Sequence, residues 1–297
     1  MSILSLNNVV KQYDKHTAVD RISFDVDKQK IFGLLGPNGA GKTSLIRIIT
    51  TITGADSGEI YIDGEKLNSM HPHQIGYMPE ERGLYKKMKV GEQLMYLAQL
   101  KGLETAEAKK KILYWLKKFE ITDWWNKKIE ELSKGMQQKI QFIATVVHEP
   151  KLIILDEPFS GLDPLNTNLI KTEIRKLKES GTSVIFSTHR MEQVEEICED
   201  IVLINNGKII LEGNVLEIKH KYKENKYRIV FEGEMPDFYN YTIVNKDDNS
   251  VIIQLRAGEE GNDLLRYAVQ SGSHIVSFNE ILPSLNDIFI KQVERTN

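Results

Sequence analysis

Gly36-Pro37-Asn38-Gly39-Ala40-Gly41-Lys42-Thr43 is the stretch that decides the fold of this 297-residue chain. The mainly apolar residues 30–35 before it read as a strand, and residues 42–49 after it carry the apolar spacing of a helix. A glycine-rich turn with the spacing G-x-x-x-x-G-K-T between a strand and a helix is typical of a phosphate-binding loop. The stretch therefore predicts an α/β core built around this loop.

The residue types of the loop suit the binding of a nucleoside triphosphate. Glycines let the backbone bend so that successive N–H groups face the phosphate oxygens, and the N-terminal end of the following helix adds positive potential. Lys42 supplies a positive charge for the β- and γ-phosphates, and the Thr43 hydroxyl can bind Mg²⁺. By itself the loop predicts only that some nucleoside triphosphate binds.

Strands and helices alternate along most of the chain, which predicts a parallel sheet with helices on its faces. Residues 3–10 and 18–26 read as strands of an N-terminal antiparallel β subdomain. Residues 58–62 with Asp63-Gly64 read as a hairpin. Residues 83–135 are lysine-rich, with the apolar spacing of helices, and we expect them to form a helical subdomain.

The composition changes near residue 220. Residues 219–226 are polar and rich in lysine, and we interpret them as a linker. Beyond them, predicted strands and two predicted helices indicate a small α+β domain over residues 227–297. No internal repeat or low-complexity segment interrupts the chain.

Composition and charge narrow the classes of function. The chain is 41% hydrophobic and 27% charged, and its net charge of −3 lacks the basic excess that nucleic-acid surfaces usually show. Its one cysteine, Cys198, cannot form an internal disulfide, which favours a reducing compartment. The apolar runs are far shorter than the ~20 residues of a membrane-spanning helix, and no charged-then-apolar leader begins the chain. We expect a globular cytoplasmic protein with no nucleic-acid partner.

A pair of carboxylates ends the most apolar predicted strand, Leu152-Ile153-Ile154-Leu155-Asp156-Glu157. A buried parallel strand has this composition, and α/β proteins place ligands at the carboxyl ends of such strands. Asp156 can hold the water shell of Mg²⁺, and Glu157 can orient the water that attacks the γ-phosphate. Two surface carboxylates at a strand end are the alternative, which the phosphate loop makes weaker.

Between these two features lies Leu132-Ser133-Lys134-Gly135-Met136-Gln137-Gln138. Ser133 is placed to cap the helix predicted over residues 134–148, and a capping serine near a glycine offers a hydroxyl and free amides to an anion. Alone, this segment reads as an ordinary helix cap. Together with the loop and the carboxylate pair, it resembles the ABC ATPase family, whose signature reads Leu-Ser-Gly-Gly-Gln. Lys134 and Met136 depart from the commonest form.

The resemblance implies that two copies bind head to tail around two ATP molecules, so that each site takes residues from both subunits. The expected contacts from the second subunit are Ser133, Lys134, Gly135, Met136 and Asp163. The expected ATP contacts within one subunit are Tyr13, Gly36, Pro37, Asn38, Gly39, Ala40, Gly41, Lys42, Thr43 and Ser44. The expected catalytic side chains are Glu157, His189, Lys42 and Glu80. The expected Mg²⁺ ligands are Thr43, Asp156 and Glu80.

Three of these residues are assigned by position in the family pattern. Tyr13 matches the aromatic residue that stacks on adenine, and a core tyrosine at a strand edge is the alternative. His189 follows the strand predicted over residues 183–187 and matches the switch histidine that contacts the γ-phosphate. Asp163 belongs to Ser160-Gly161-Leu162-Asp163-Pro164, which resembles the family's dimer-contact loop.

Ile75-Gly76-Tyr77-Met78-Pro79-Glu80 differs from most family members, which have glutamine at its last position. Glutamate keeps an oxygen ligand for a hard cation. It also adds a negative charge near Glu157, and if both carboxyl groups approach the metal site, one of them would have a raised pKa. Glu81 is an alternative for this role, although the sequence register favours Glu80.

The family resemblance covers residues 3–215, and we assign residues 1–218 to an ABC ATPase domain. Residues 80–85 and the unit after residue 220 also resemble the ATPase subunits of bacterial ABC exporters of the drug-export and sodium-efflux types. This implies ATP and Mg²⁺ as cofactors, a homodimer, and a separate transmembrane permease. The protein would then lie in the cytoplasm on the inner face of the cell membrane, held there by the permease.

Two other functions compete with an ATPase that drives export. The main alternative is a soluble ABC ATPase that acts on nucleic acid or ribosomes, but those usually carry two ATPase units or a long coiled-coil insertion, and this chain shows neither. The other is a nucleotide-binding regulator without turnover, against which the presence of Glu157 argues. A transported substrate would contact the permease, so this chain does not reveal it.

Overall fold

The computed structural model describes residues 1–81 and 83–296. The chain divides into two compact units, Met1–Asn214 and Val215–Asn297. In chain order, the strands of the first unit are β1 (Ser2–Tyr13), β2 (His16–Asp27), β3 (Ile31–Leu35), β4 (Ser57–Ile62), β5 (Glu65–Lys66), β6 (Ile75–Met78), β7 (Leu152–Asp156), β8 (Ser183–Thr188), β9 (Asp200–Asn205) and β10 (Lys208–Asn214). Its α-helices are α1 (Lys42–Ile49), α2 (Val90–Leu100), α3 (Thr105–Lys118), α4 (Lys134–Val146), α5 (Pro164–Glu179) and α6 (Met191–Ile197).

The central sheet has the strand order β10-β9-β3-β8-β7-β6, and β10 runs antiparallel to β9 while the other pairs are parallel. Every residue of β3, β7 and β8 is buried, as in a parallel sheet that is covered on both faces. The register pairs Leu35 with Thr188 and Asp156 with Ser187. The carboxyl ends of these three strands therefore meet at one edge of the sheet, and the predicted parallel sheet is confirmed.

A second sheet, of order β2-β1-β4-β5, is antiparallel throughout. Asp63 and Gly64 have φ values of 51° and 85°, and two positive values are what a two-residue hairpin turn of type I′ requires. The predicted hairpin is confirmed. Both sheets share one hydrophobic core with α1, to which Leu4, Leu34 and Ile46 belong.

The predicted helical segment contains α2 and α3. Trp115 of α3 is buried, and its ring centroid lies 5.7 Å from that of Phe119 and 6.0 Å from that of Phe142 on α4. These aromatic contacts hold α3 against α4. The apolar spacing seen in the sequence therefore lies on the faces through which the helices pack.

The second unit is an antiparallel sheet with helices. Its strands are β11 (Lys226–Glu232), β12 (Thr242–Lys246), β13 (Ser250–Gln254) and β14 (His274–Ile281), in the spatial order β12-β13-β11-β14. Its helices are α7 (Val215–Lys221), α8 (Gly261–Gln270) and α9 (Leu285–Thr296). Side chains from β11, β13 and α8 form a core of their own, which includes Phe231, Ile253 and Leu264.

The boundary between the units differs from the expected one. The division falls after Asn214, four residues before the expected end of the first domain at residue 218. Helix α7 also covers residues 219–221, which the sequence suggested belong to a linker. This helix buries Val215 and Ile218, which are one helical turn apart. Because the C-terminal end of this helix is rich in lysine, its short apolar pattern is difficult to recognise in the sequence. Asn297, the last residue of the expected second domain, lies outside the described residues.

Within residues 1–81 and 83–296, no helix combines the length and the apolar character needed to cross a bilayer.

Candidate nucleotide site

The phosphate loop lies between β3 and α1, at the carboxyl edge of the central sheet. Gly36 and Gly41 have φ values of 151° and 108°, which favour glycine. A Cβ atom on Gly36 would lie 2.2 Å from the carbonyl oxygen of Ile204, and one on Gly41 would lie 2.1 Å from that of Ala18. Both glycines are thus required by backbone conformation and by close packing.

Lys42 is buried at the start of α1 and bends back over the loop. Its Nζ donates hydrogen bonds to the carbonyl oxygens of Gly36 at 2.7 Å and Pro37 at 3.1 Å. Burial lowers the pKa of the Lys42 ammonium group, and nearby carboxylates oppose this change. These carboxylates belong to Asp156, Glu157 and Glu80. The loop therefore holds a positive charge that faces three negative ones.

One cavity of about 410 Å³ unites most of the predicted residues. Its volume is in the range of ligand pockets. Its lining residues are Tyr13, His16, Ala18, Asn38, Gly39, Ala40, Gly41, Lys42, Thr43, Ser44, Glu80, Asp156 and Glu157. Gly36 and Pro37 instead meet the Lys42 ammonium group through their carbonyl oxygens.

Asp156 ends β7 and is 3% exposed. Its Oδ1 accepts a hydrogen bond of 2.7 Å from the Ser187 hydroxyl of β8. Burial raises the pKa of the Asp156 carboxyl group, the Ser187 hydrogen bond opposes the rise, and the charges of Glu157 and Glu80 add to it.

Glu157 is held by donors from the end of β8. Its Oε2 accepts a hydrogen bond from the Thr188 hydroxyl at 3.0 Å. Its Oε1 accepts from the backbone N–H of His189 at 2.9 Å and from His189 Nδ1 at 2.6 Å. Glu157 is 7% exposed, and its backbone has the left-handed φ of 49°, which is uncommon for a residue other than glycine. The side chain is thus positioned by both its backbone and its partners.

Tyr13 lies at the end of β1 and is 41% exposed at the mouth of the cavity. A half-exposed ring can offer its face to a planar base, whereas the alternative, a core tyrosine, would be buried. His16, at the start of β2, lines the same cavity. Sequence reasoning missed His16, because a lone histidine beside a turn carries no pattern.

Glu80 lies just beyond β6 and lines the cavity together with Asp156 and Glu157. Gln141 of α4 donates a hydrogen bond of 2.8 Å from its Nε2 to the carbonyl oxygen of Pro79, the residue before Glu80. The lining does not include Glu81, so the geometry favours Glu80 over that alternative. Arg82, part of the stretch that resembles the exporters, lies outside the described residues.

The residues expected to act on the second subunit's ATP lie outside this lining. Ser133 caps α4 as predicted, since its Oγ accepts a hydrogen bond of 3.3 Å from the backbone N–H of Met136. Gly135 lies near Gly161, and Asp163 caps α5 by accepting from the backbone N–H of Asn166 at 2.9 Å. Lys134 is exposed. His189 is partly exposed and is linked to the cavity by its contact with Glu157.

The comparison with known proteins decides the family. The uncharacterized ABC transporter ATP-binding protein YhaQ of Bacillus subtilis strain 168 is 44% identical to this chain over 293 residues, which cover 98% of each protein. This chain belongs to the ABC transporter ATP-binding proteins. The family described as ABC transporter matches residues 19–160, a range that contains the phosphate loop, the capped α4 and the carboxylate pair.

Other matches each cover part of this ABC ATPase. The C-terminal domain of DrrA1-3-like ATP-binding proteins matches residues 213–293. The linearmycin resistance ATP-binding protein LnrL of Bacillus subtilis strain 168 is 38% identical over 219 residues, which cover 73% of this chain and 70% of LnrL. A solved structure of an ATP-binding subunit of an ABC transporter is 29% identical to this chain, with a TM-score of 0.70. The match covers 74% of this chain and 93% of the chain in that structure. The predicted family, fold class and ATPase class are confirmed.

The structure adds residues to this ABC site that the motifs did not predict. Ser187 donates a hydrogen bond to Asp156, the last residue of β7, and Thr188 donates one to the next residue, Glu157. Ser187 and Thr188 are both fully buried. A signal was present, because β8 is otherwise mainly apolar yet ends with two hydroxyl side chains. Gln141 was not predicted either, since its position on α4 does not reveal that it contacts Pro79.

Proposed function

We propose that this ABC ATPase is the motor subunit of an exporter whose membrane-spanning part is a separate polypeptide. One observation carries the chemical part of the proposal. A single cavity brings the Lys42 ammonium group, the Thr43 hydroxyl and the carboxylates of Glu80, Asp156 and Glu157 to the phosphate loop. This is the set of groups that binds a triphosphate and directs water to its terminal phosphorus.

The donor atoms in this cavity fit Mg²⁺. The ion prefers oxygen ligands and is usually held by one or two carboxylates together with substrate phosphates. Thr43, Asp156 and Glu80 would supply a hydroxyl and carboxylate oxygens. The described residues contain no group of three or more acidic, histidine or cysteine side chains that would hold a metal unaided, so phosphate oxygens would complete the ligand set. When bound, Mg²⁺ would neutralise charge on the phosphates.

The chain's own groups would do the remaining work. The loop N–H groups and Lys42 would bind and orient the phosphates, and Tyr13 would stack on the adenine. Glu157 would orient the attacking water, and His189 would hold Glu157 while its exposed side reaches the γ-phosphate. Lys42 is buried and hydrogen-bonded, so little rearrangement is required of it.

The second half of each site would come from another copy of the chain. Ser133, Lys134, Gly135 and Met136 begin a helix whose cap leaves backbone N–H groups available to an anion. Asp163 begins a second helix close in sequence to Glu157. In this arrangement ATP would lie between two subunits and draw them together, and hydrolysis would release them.

Glu80→Gln tests whether residue 80 contributes to the Mg²⁺ site. The substitution keeps an oxygen ligand and removes a negative charge, so the Mg²⁺ concentration for half-maximal ATP hydrolysis should rise by about 3- to 10-fold, on the scale of one weakened charge interaction at a partly exposed site. The measurement is a Mg²⁺ titration of the steady-state rate. Glu81→Gln is the matched control and should leave the titration unchanged. An unchanged Glu80→Gln titration would exclude residue 80 from the site.

The export assignment follows from the relatives. LnrL is named for resistance to linearmycin, and the C-terminal match is to DrrA1-3-like proteins. We infer that the partner is a permease with several apolar segments of ~20 residues. It would hold the ATPase at the cytoplasmic face of the membrane. Tyr85 and Tyr96 are exposed, and their rings contact each other edge to face with centroids 6.1 Å apart. Both residues follow Glu80 in the chain and are candidates to transmit motion to the permease.

Coexpression tests the partner. The chain is expressed with and without a candidate permease, taken from a neighbouring gene if that gene encodes several apolar segments of ~20 residues. Its distribution between membrane pellet and supernatant is measured after removal of ribosomes. We expect the chain to move to the membrane fraction only when that polypeptide is present. Sedimentation with ribosomes, or binding to nucleic acid with no membrane recovery, would instead support the alternative of a soluble ABC ATPase.

A further inference from the structure

Strand β8 ends in two consecutive residues with hydroxyl side chains. Each of these hydroxyl groups contacts one of two consecutive carboxylates. Ser187 donates to Asp156 Oδ1, and Thr188 donates to Glu157 Oε2. Both hydroxyl residues are 0% exposed. Parallel pairing of Asp156 with Ser187 sets this register, so each acid accepts from one of the two hydroxyl groups. The two acids of the site are therefore oriented by separate partners.

The hydrogen bonds distinguish the two oxygens of Glu157. A carboxylate oxygen has about two acceptor positions. Oε1 accepts from the backbone N–H of His189 and from His189 Nδ1, which must carry the proton because an ionised carboxylate has none to give. Oε2 accepts from Thr188 alone among the described residues. One acceptor position of Oε2 therefore stays available to a further donor, while Oε1 is fully engaged.

The direction of the Thr188 hydroxyl is also determined. Its Oγ1 accepts a hydrogen bond of 3.1 Å from the backbone N–H of Arg190, so its single proton is left for Glu157 Oε2. The backbone of Glu157 is restrained as well, since its N–H donates to the carbonyl oxygen of Ser187 at 2.9 Å. Thr188 thus ties the side chain of Glu157 to the start of the segment that precedes α6.

We propose that the attacking water gives its proton to Glu157 at Oε2, and that Thr188 is the positioning residue that aims this oxygen. The inference rests on the proposed ATPase role of Glu157. The oxygen of the water would form a bond to the γ-phosphorus, and the bond from that phosphorus to the β–γ bridging oxygen would break. The electron pair of the broken bond leaves with ADP, and the proton of the water passes to Oε2.

Thr188→Val tests the proposal, because valine has nearly the shape of threonine and lacks the hydroxyl. Loss of one hydrogen bond to a charged group should reduce kcat by about 10- to 100-fold, with KM for ATP changed by less than about twofold. Thr188→Ser restores the hydroxyl and should keep kcat within about threefold of the wild-type value. The measurement is the steady-state ATPase rate of the full chain across ATP concentrations, together with ATP affinity at equilibrium.

Thr145→Val is the matched control. Thr145 is also buried, and among the residues that the structure describes its hydroxyl donates only to the backbone carbonyl of Gln141, one turn earlier in α4. This control should keep the wild-type kcat. If Thr188→Val does not fold, Thr188→Cys keeps a similar volume with a weak donor and should show an intermediate fall in kcat.

The outcomes separate this inference from the proposed function. If Glu157→Gln is inactive while Thr188→Val keeps the wild-type kcat, the role of Thr188 is wrong and that of Glu157 stands. If Glu157→Gln keeps the wild-type rate, both proposals fail. Equal losses in Thr188→Val and Thr188→Ser, or a loss confined to KM, would show that Thr188 supports structure or ATP binding and would overturn its positioning role.

Discussion

Glu157→Gln is expected to reduce ATP turnover by at least about 100-fold while ATP still binds, which is the lower end of what a positioned general base contributes. The variant keeps the size of the side chain and an oxygen that can accept from the His189 backbone. It cannot take a proton from water, since an amide is a negligible base at neutral pH. Its Nε2 would also meet the Thr188 hydroxyl as a second donor. The measurement is the steady-state release of phosphate at saturating ATP and Mg²⁺.

The same variant tests the shared site. Because ATP would bind between two subunits and would not be consumed, Glu157→Gln should form a long-lived dimer on addition of ATP, seen as an earlier elution in size-exclusion chromatography. The control is Glu149→Gln, which removes a surface carboxylate that pairs with Lys111. It should hydrolyse ATP at the wild-type rate. Wild-type turnover by Glu157→Gln would remove Glu157 from the catalytic role.

Lys42→Ala is expected to lower the affinity for ATP by about 100-fold or more, on the scale of a buried charge-assisted contact that is removed. Two effects add in the same direction. The β- and γ-phosphates would lose their positive partner, and the loop would lose the hydrogen bonds to the carbonyl oxygens of Gly36 and Pro37. The measurement is a titration with a fluorescent ATP analogue, or calorimetry in the presence of Mg²⁺.

Lys42→Arg separates charge from fit. The guanidinium group keeps the charge, but it is planar and larger than the ammonium group, and the site is buried. Its ATP affinity should therefore lie between those of the wild type and Lys42→Ala. Lys109→Ala, on the exposed side of α3, should bind ATP normally. Unchanged affinity in Lys42→Ala would show that the phosphate loop is not the triphosphate site.

Local sequence patterns predicted most helices and strands, because each pattern lies within the residues of the element that it predicts. The apolar spacing of residues 42–49 and the hydroxyl at Ser133 each depend on a few neighbouring residues, and both predictions agree with the structure. One exception was α7, where two buried residues in a seven-residue helix make too short a pattern to distinguish from a linker.

The amino-acid sequence by itself determined the phosphate loop, the carboxylate pair at residues 156 and 157, and the family. Each is written in consecutive residues whose chemistry needs that spacing. The tertiary structure alone decided which side chains hold the two carboxylates, that His16 joins the cavity, and that Glu80 rather than Glu81 lines it. The physical reason is distance along the chain. Partners such as Ser187 and Asp156 are 31 residues apart, and only the parallel register of β7 and β8 brings them to 2.7 Å.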